Sequence, residues 1–283
     1  MILTFLALGG CASYSQYIPS TAATAHTPAA LPAPEDKILI IYNHGSQPED
    51  RQDYCFPNGW TTPEVIKRLS GQTINGYEVV VYGHCSPWQY GGYNHVLRLG
   101  EPKVLRRAKS LEGLIQDFID HGVPSRQIFL AGHSAGAWAS LLVARRNQVR
   151  INSVIGFAPA FAGEEAKRPE GWIELRARQV TYLREAEAMP ALIYAFEYDP
   201  FNGPEDLVFL RDIPGIVMLG PDESYVQQKE DCPTPTGHRA AFSRCFAETQ
   251  GDRIRDYMSQ RLTATTEPSP IPAQREHDPI GGS

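Results

Sequence analysis

The sequence predicts an α/β fold, a mostly parallel central sheet of about six strands flanked by helices, and three observations carry that expectation. Short apolar, β-branched runs alternate with amphipathic stretches, the pattern of parallel strands joined by crossover helices. A chain of 283 residues that is 42% hydrophobic and 20% charged has enough apolar surface for one good-sized core. Both ends lack apolar periodicity, so a single folded domain is expected over 36–264.

The strands are expected at Lys37 to Tyr42 (KILIIY), Tyr77 to Tyr82 (YEVVVY), Gln127 to Ala131 (QIFLA), Ile151 to Phe157 (INSVIGF), Ala191 to Glu197 (ALIYAFE) and Gly215 to Leu219 (GIVML). Between the first two, Thr61-Thr62-Pro63-Glu64 has the spacing of a capping box with Pro in the first turn, introducing a helix over Val65 to Leu69. Val104, Ala108, Leu111, Ile115, Phe118 and Ile119 recur at helical spacing, and Gly122 and Pro124 close that helix before the third strand. The segment 160–190 is long enough for a small helical lid containing Trp172, Ile173 and Leu175.

The ends read differently. Residues 12–35 are rich in Ala, Thr, Pro and Ser and are expected to be a flexible linker, and 265–283 a disordered tail. Ahead of the linker, the apolar run of residues 1–8 ends in Leu8-Gly9-Gly10-Cys11, too short to span a bilayer. It resembles the lipobox of bacterial lipoprotein signal peptides, without the preceding Lys or Arg. That resemblance implies a signal segment over 1–11, cleavage before Cys11, acylation of Cys11, and a lipid-anchored protein of the bacterial cell envelope on its periplasmic or extracellular side. Removing Cys11 leaves Cys55, Cys85, Cys232 and Cys245, an even set that suits disulfides in an oxidising compartment, with three pairings open. The net charge of −6, with no block of basic residues, excludes nucleic acid as a partner.

Chemistry is expected at Gly132-His133-Ser134-Ala135-Gly136. A bare G-x-S-x-G is weak, since a chain this long holds one by chance about one time in ten. Here it follows a buried strand and precedes Ala137, Trp138, Ala139, Leu141, Leu142 and Ala144, which suit a packed helix, so the context is that of a nucleophile elbow. The sharp turn strains Ser134 and leaves no room for side chains at Gly132 and Gly136. The helix behind it directs N–H groups and its positive end at the same spot, which makes the Ala135 N–H the first oxyanion donor. The turn Asn43-His44-Gly45-Ser46 after the first strand is expected to supply the second, from Ser46, with Gln47 as the alternative.

A serine hydroxyl needs a histidine to take its proton and a carboxylate to orient that histidine. After Ser134 the histidines are His238 and His277, and His277 falls in the tail, which leaves His238 as the base. Asp199, just past the fifth strand, is the first choice for the acid, with Asp206 and Glu197 behind it. His84 and His95 have no accompanying ligand spacing, so neither a metal nor a cofactor is expected.

These residues are similar to those of the α/β-hydrolase superfamily over nearly all of 37–263, with the layout of its dienelactone-hydrolase-like and small esterase branches. Dienelactone hydrolases proper use a cysteine where this chain has Ser134, so their specific activity is not carried over. The resemblance implies a version of the fold lacking its first two strands, with nothing ahead of Lys37 to supply them. It also implies a strand order that puts the second strand outside the first and the third on the first strand's other side. That order would set the Cys55 and Cys85 loops side by side and leave Cys232 with Cys245. The expected activity is hydrolysis of a small-molecule carboxylic ester through an acyl-enzyme, in a pocket lined by Trp88, Tyr90 and Trp172. A serine peptidase or amidase acting on amides is the alternative, and a non-catalytic envelope lipoprotein with a hydrolase fold the third reading.

Overall fold

The computed structural model describes residues 16–18, 27–46, 61–84, 103–147, 149–161, 171–220, 232 and 236–264. Along the chain the elements are β1 (Gln16–Ile18), β2 (Lys37–Asn43), α1 (Glu64–Leu69), β3 (Thr73–Ile74), β4 (Tyr77–His84), α2 (Lys103–Asp120), β5 (Ile128–His133), α3 (Ala135–Arg146), β6 (Ser153–Phe157), α4 (Trp172–Arg184), β7 (Ala191–Tyr194), α5 (Pro204–Leu207), β8 (Ile216–Leu219) and α6 (Arg244–Ala264). The six expected strands are β2, β4, β5, β6, β7 and β8, and they pair in parallel.

The full sheet runs β1-β4-β2-β5-β6-β7-β8, with β3 turning back antiparallel on β4. The short β1 corrects the expectation that 12–35 is only linker and that nothing ahead of Lys37 joins the sheet. Gln16–Ile18 pairs antiparallel with Val81 to Gly83, and the buried Tyr17 ring meets Tyr82 edge-on at 4.9 Å. Three residues are too few to show an alternating pattern, so this strand is visible only through its pairing with β4 and the packing of Tyr17 on Tyr82.

The central strands β2, β5, β6 and β7 are buried along nearly their whole length because helices cover both faces. Ile38, Ile40 and Tyr42 of β2 join Val79, Val81, Phe129 and Ile155 in a layer closed by Val65, Ile66 and Leu69 of α1 and Phe246, Ile254 and Met258 of α6. Leu39 and Ile41 point the other way, to Ile128, Leu130 and Val154, under Leu105, Leu111, Ile115 and Phe118 of α2 and Trp138, Leu141 and Leu142 of α3. Within the segment 160–190, α4 buries Leu175, Gln179 and Leu183, and Gln179 Oε1 accepts the Trp138 indole N–H at 2.6 Å. This helix is therefore anchored to α3.

Helix ends followed the sequence less closely. The expected capping box does not form: α1 is N-capped by Pro63 without a side-chain cap bond, because Pro63 takes the cap position itself. Gly122, at φ 97°, closes α2 as expected, its N–H donating to the Ile119 carbonyl at 2.9 Å.

The strand order decides where the chemistry sits. β4 lies on one side of β2 and β5 on the other, so the connections diverge at the carboxyl ends of β2 and β5, the usual ligand position in open α/β sheets. Asn43 is in register with Gly132, which brings the Asn43-to-Ser46 turn beside Ser134. Among the described residues no helix is long and apolar enough to cross a membrane.

Candidate active site

Ser134 stands alone between β5 and α3 with φ 55° and ψ −125°, a backbone conformation that residues with a Cβ seldom adopt. The surroundings hold it there. Its N–H donates to the Phe157 carbonyl at 3.0 Å, and its own carbonyl accepts from Trp138 N at 3.0 Å and Ala160 N at 3.2 Å. The flanking glycines are steric requirements: a Cβ on Gly132 would come within 2.5 Å of Ala137 N, and one on Gly136 would overlap the Asn43 carbonyl oxygen. Asn43 Nδ2 also donates to the Gly136 carbonyl at 3.3 Å, tying the end of β2 to the start of α3.

Next to Ser134, Ala135 is the first residue of α3, so helix geometry gives its N–H no acceptor within the helix. Ser46 lines the same cleft as Ser134. The turn from Asn43 to Ser46 is braced by Arg107 of α2, which is fully buried and donates to Asn43 Oδ1 at 2.7 Å and to the His44 carbonyl. Burial lowers the Arg107 pKa to about 10, so the guanidinium stays charged at neutral pH behind the turn.

On the other side, Asp199 Oδ2 accepts from His238 Nδ1 at 2.8 Å. The Asp199 side chain is fully buried, and its Oδ1 accepts from the backbone N–H groups of Phe201 at 2.8 Å and Asn202 at 3.4 Å. The carboxylate is thus held by its own loop as well as by the imidazole. The loops bearing the pair are joined again where Gly237 N–H donates to the Glu197 carbonyl at 2.6 Å, with Gly237 at φ 75°. Of the other two carboxylates considered, Glu197 is exposed, and Asp206 caps α5 by accepting from Gly203 N at 3.1 Å.

Neither a protein-family model nor a curated protein matches the chain. Among solved structures, that of DcsB in complex with its substrate analogue superposes on 81% of this chain and 92% of its own, at 13% identity and a TM-score of 0.53. This chain has the α/β-hydrolase fold. TT1662 from Thermus thermophilus aligns at a TM-score of 0.49 and 16% identity over 81% of this chain and 90% of that one. For the esterase Pf2001 of Pyrococcus furiosus the values are 0.48 and 17%, over 80% and 83%.

In this α/β-hydrolase fold Ser134 and His238 line one cleft of about 510 Å³. Its apolar wall is Phe161, Pro200, Phe201 and Phe242, and Arg239 stands at its edge with the guanidinium 4.6 Å from the Phe242 ring centre. A cavity of similar size, about 530 Å³, lies between the β7–β8 edge and α6 and is lined by no serine, cysteine or histidine among the described residues.

The pocket residues expected from sequence are only partly placed. Trp172 is half-buried on α4 and is not among the residues lining the cleft. Trp88, Tyr90, Gln47, His95, His277, Cys11, Cys55 and Cys85 lie outside the described residues. The three phenylalanines were not singled out from sequence, although Phe201 and Phe242 follow Asp199 and His238 within four residues, a signal that was available. His84 ends β4 as a buried histidine 3.5 Å from Ser110 Oγ, and burial lowers its pKa to about 3. No cluster of three metal-ligating side chains occurs among the described residues. The sulfurs of Cys232 and Cys245 are 2.18 Å apart, so this pair joins the segment before His238 to the start of α6.

Proposed function

We propose that this chain is a serine hydrolase that cleaves carboxylic esters through an acyl-enzyme. The observation that carries the reading is the Asp199–His238 hydrogen bond opening onto the cleft that Ser134 lines from a strained turn. With Nδ1 engaged by Asp199, His238 has Nε2 left to take the Ser134 proton as Oγ attacks the ester carbonyl carbon. The developing oxyanion is received by the N–H groups of Ala135 and Ser46, at the positive end of α3. Collapse of the tetrahedral adduct breaks the bond to the alcohol oxygen, which receives the proton from His238. A water molecule then repeats the sequence on the acyl-serine, releasing the acid and restoring the hydroxyl. The phenylalanine wall suits an apolar or aromatic acyl group.

The test is turnover of short-chain nitrophenyl esters and labelling by a fluorophosphonate probe, with wild type and Ser134→Ala side by side. Ser134-dependent turnover and labelling support the reading; folded wild type that shows neither refutes it. Faster cleavage of the matching anilides would replace the esterase by an amidase.

We also propose that the protein is tethered to a bacterial envelope membrane through acyl chains on Cys11. The Leu8-to-Cys11 pattern supports this, and a cysteine pair at bonding distance suits an oxidising compartment. Mass spectrometry of protein from its native host should find an acylated Cys11 as the first residue, and a retained, unmodified residue 10 would refute it.

A further inference from the structure

The residue before the nucleophile has a part that the triad does not assign. His133 ends β5 with its side chain almost fully buried, and its Nε2 lies 2.7 Å from the main-chain carbonyl oxygen of His238. A carbonyl oxygen only accepts, so the His133 ring carries its proton on Nε2 and donates it. The ring centre is 4.6 Å from that of His238 and 4.8 Å from that of Phe242, which it meets at 90°. At the Nδ1 position of the ring, a Cβ added to Gly45 would come within 2.9 Å of His133 Nδ1 and 3.0 Å of Ser134 Cβ, so the oxyanion turn packs closely on this ring. One imidazole is thus wedged between the turn carrying the Ser46 N–H and the loop carrying His238.

We propose that His133 is a positioning residue that holds the His238 imidazole in line with Ser134 by donating Nε2–H to the His238 backbone carbonyl. The inference rests on the serine hydrolase reading and deepens it. Three bonds then fix the base: Gly237 N–H to the Glu197 carbonyl, His238 Nδ1 to Asp199, and the His238 carbonyl to His133. The first two tether the loop toward the acid. Of these three, the third ties it to β5, the strand from which Ser134 projects, and so bears on the separation of base and nucleophile. The groups facing His133 are His44, His238 and Arg239; burial, reinforced by His238, holds its own pKa well below the ordinary value. A neutral His133 does not compete for the Ser134 proton and adds no positive charge beside the imidazolium formed during attack.

Two substitutions separate the hydrogen bond from the filling of space. His133→Phe keeps a flat ring without the donor, and His133→Gln keeps a donor that reaches the same distance as Nε2. Steady-state kinetics on a nitrophenyl ester should show kcat for His133→Phe falling about tenfold to a hundredfold with KM within about twofold. His133→Gln should recover kcat to within about threefold, with both variants sharing a similar thermal midpoint. A Phe variant with wild-type kcat, or a Gln variant no better than Phe, overturns the positioning role while leaving the hydrolase reading intact. Wild type without Ser134-dependent turnover overturns both. Equal losses of kcat and thermal midpoint in the two variants would mark a packing role and also overturn the proposal.

Discussion

Asp199 Oδ2 and His238 Nδ1 meet at 2.8 Å although they are 39 positions apart in the chain. The carboxylate has no exposed side-chain surface, and two backbone N–H groups hold its second oxygen. In the mechanism proposed above, Asp199→Asn keeps the size and removes the charge assigned to orienting the neutral imidazole and stabilising the imidazolium. Ester turnover should fall about 10⁴-fold in kcat, with fluorophosphonate labelling slowed in parallel. Full activity in Asp199→Asn would remove it from the acid role.

Gly136 and Gly113 should respond in opposite directions to alanine. A Cβ at Gly136 has nowhere to go but into the Asn43 backbone carbonyl, whereas one at Gly113, exposed on α2, meets nothing within 4 Å. Gly136→Ala should cost at least about 1–3 kcal/mol in urea unfolding, as overpacking does, together with loss of turnover. Gly113→Ala should stabilise by about 0.5–1 kcal/mol through helix propensity.

The buried pair Trp138 and Gln179 offers a test of how α4 is anchored. Gln179→Leu strands the indole N–H that Gln179 accepts at 2.6 Å, and should cost about 1–3 kcal/mol. In the double variant with Trp138→Phe no stranded donor remains. The two changes together should therefore cost less than the sum of the single ones, by about 1 kcal/mol, in a denaturation cycle. Strict additivity would deny the bond.

Stability should fall on mild acidification. Burial, with Arg107 nearby, holds His84 at about 3, and burial keeps His133 well below its ordinary value. In the unfolded chain both return to about 6.5, so below that pH the unfolded state takes up protons that the folded state refuses. Stability therefore rises with pH over this window. From pH 7 to pH 5, His84 alone should lower it by about 2 kcal/mol, and the loss continues toward pH 3. Urea midpoints at the two pH values measure this, and His84→Gln should flatten the slope by about one proton.

Much of this protein was legible along the chain because the informative contacts are local. The six core strands read clearly since the central ones, covered by helices on both faces, are almost wholly apolar, and Ser134 read clearly because strand, turn and helix are contiguous. His238 followed from chain order, there being few histidines after Ser134. The parts that escaped are those where a residue takes its meaning from a distant neighbour. Tyr17 looks like linker until Tyr82 lies beside it. Thr61 to Glu64 has the letters of a capping box, yet Pro63 occupies the cap. Phe161, Phe201 and Phe242 become one wall only when three loops converge.

The sequence by itself determined the fold class and the strand-turn-helix that carries Ser134, and it supplied the residue types for the acid and base proposed here. Their signals are short-range periodicities and a five-residue turn, which chain geometry converts directly into local structure. Only the tertiary structure set Asp199, rather than Asp206 or Glu197, against His238, and only it brought His133, Arg107 and the phenylalanine wall beside Ser134. A hydrogen bond between residues far apart in the chain depends on loop closure and sheet order, and these leave no periodicity for a local pattern to record.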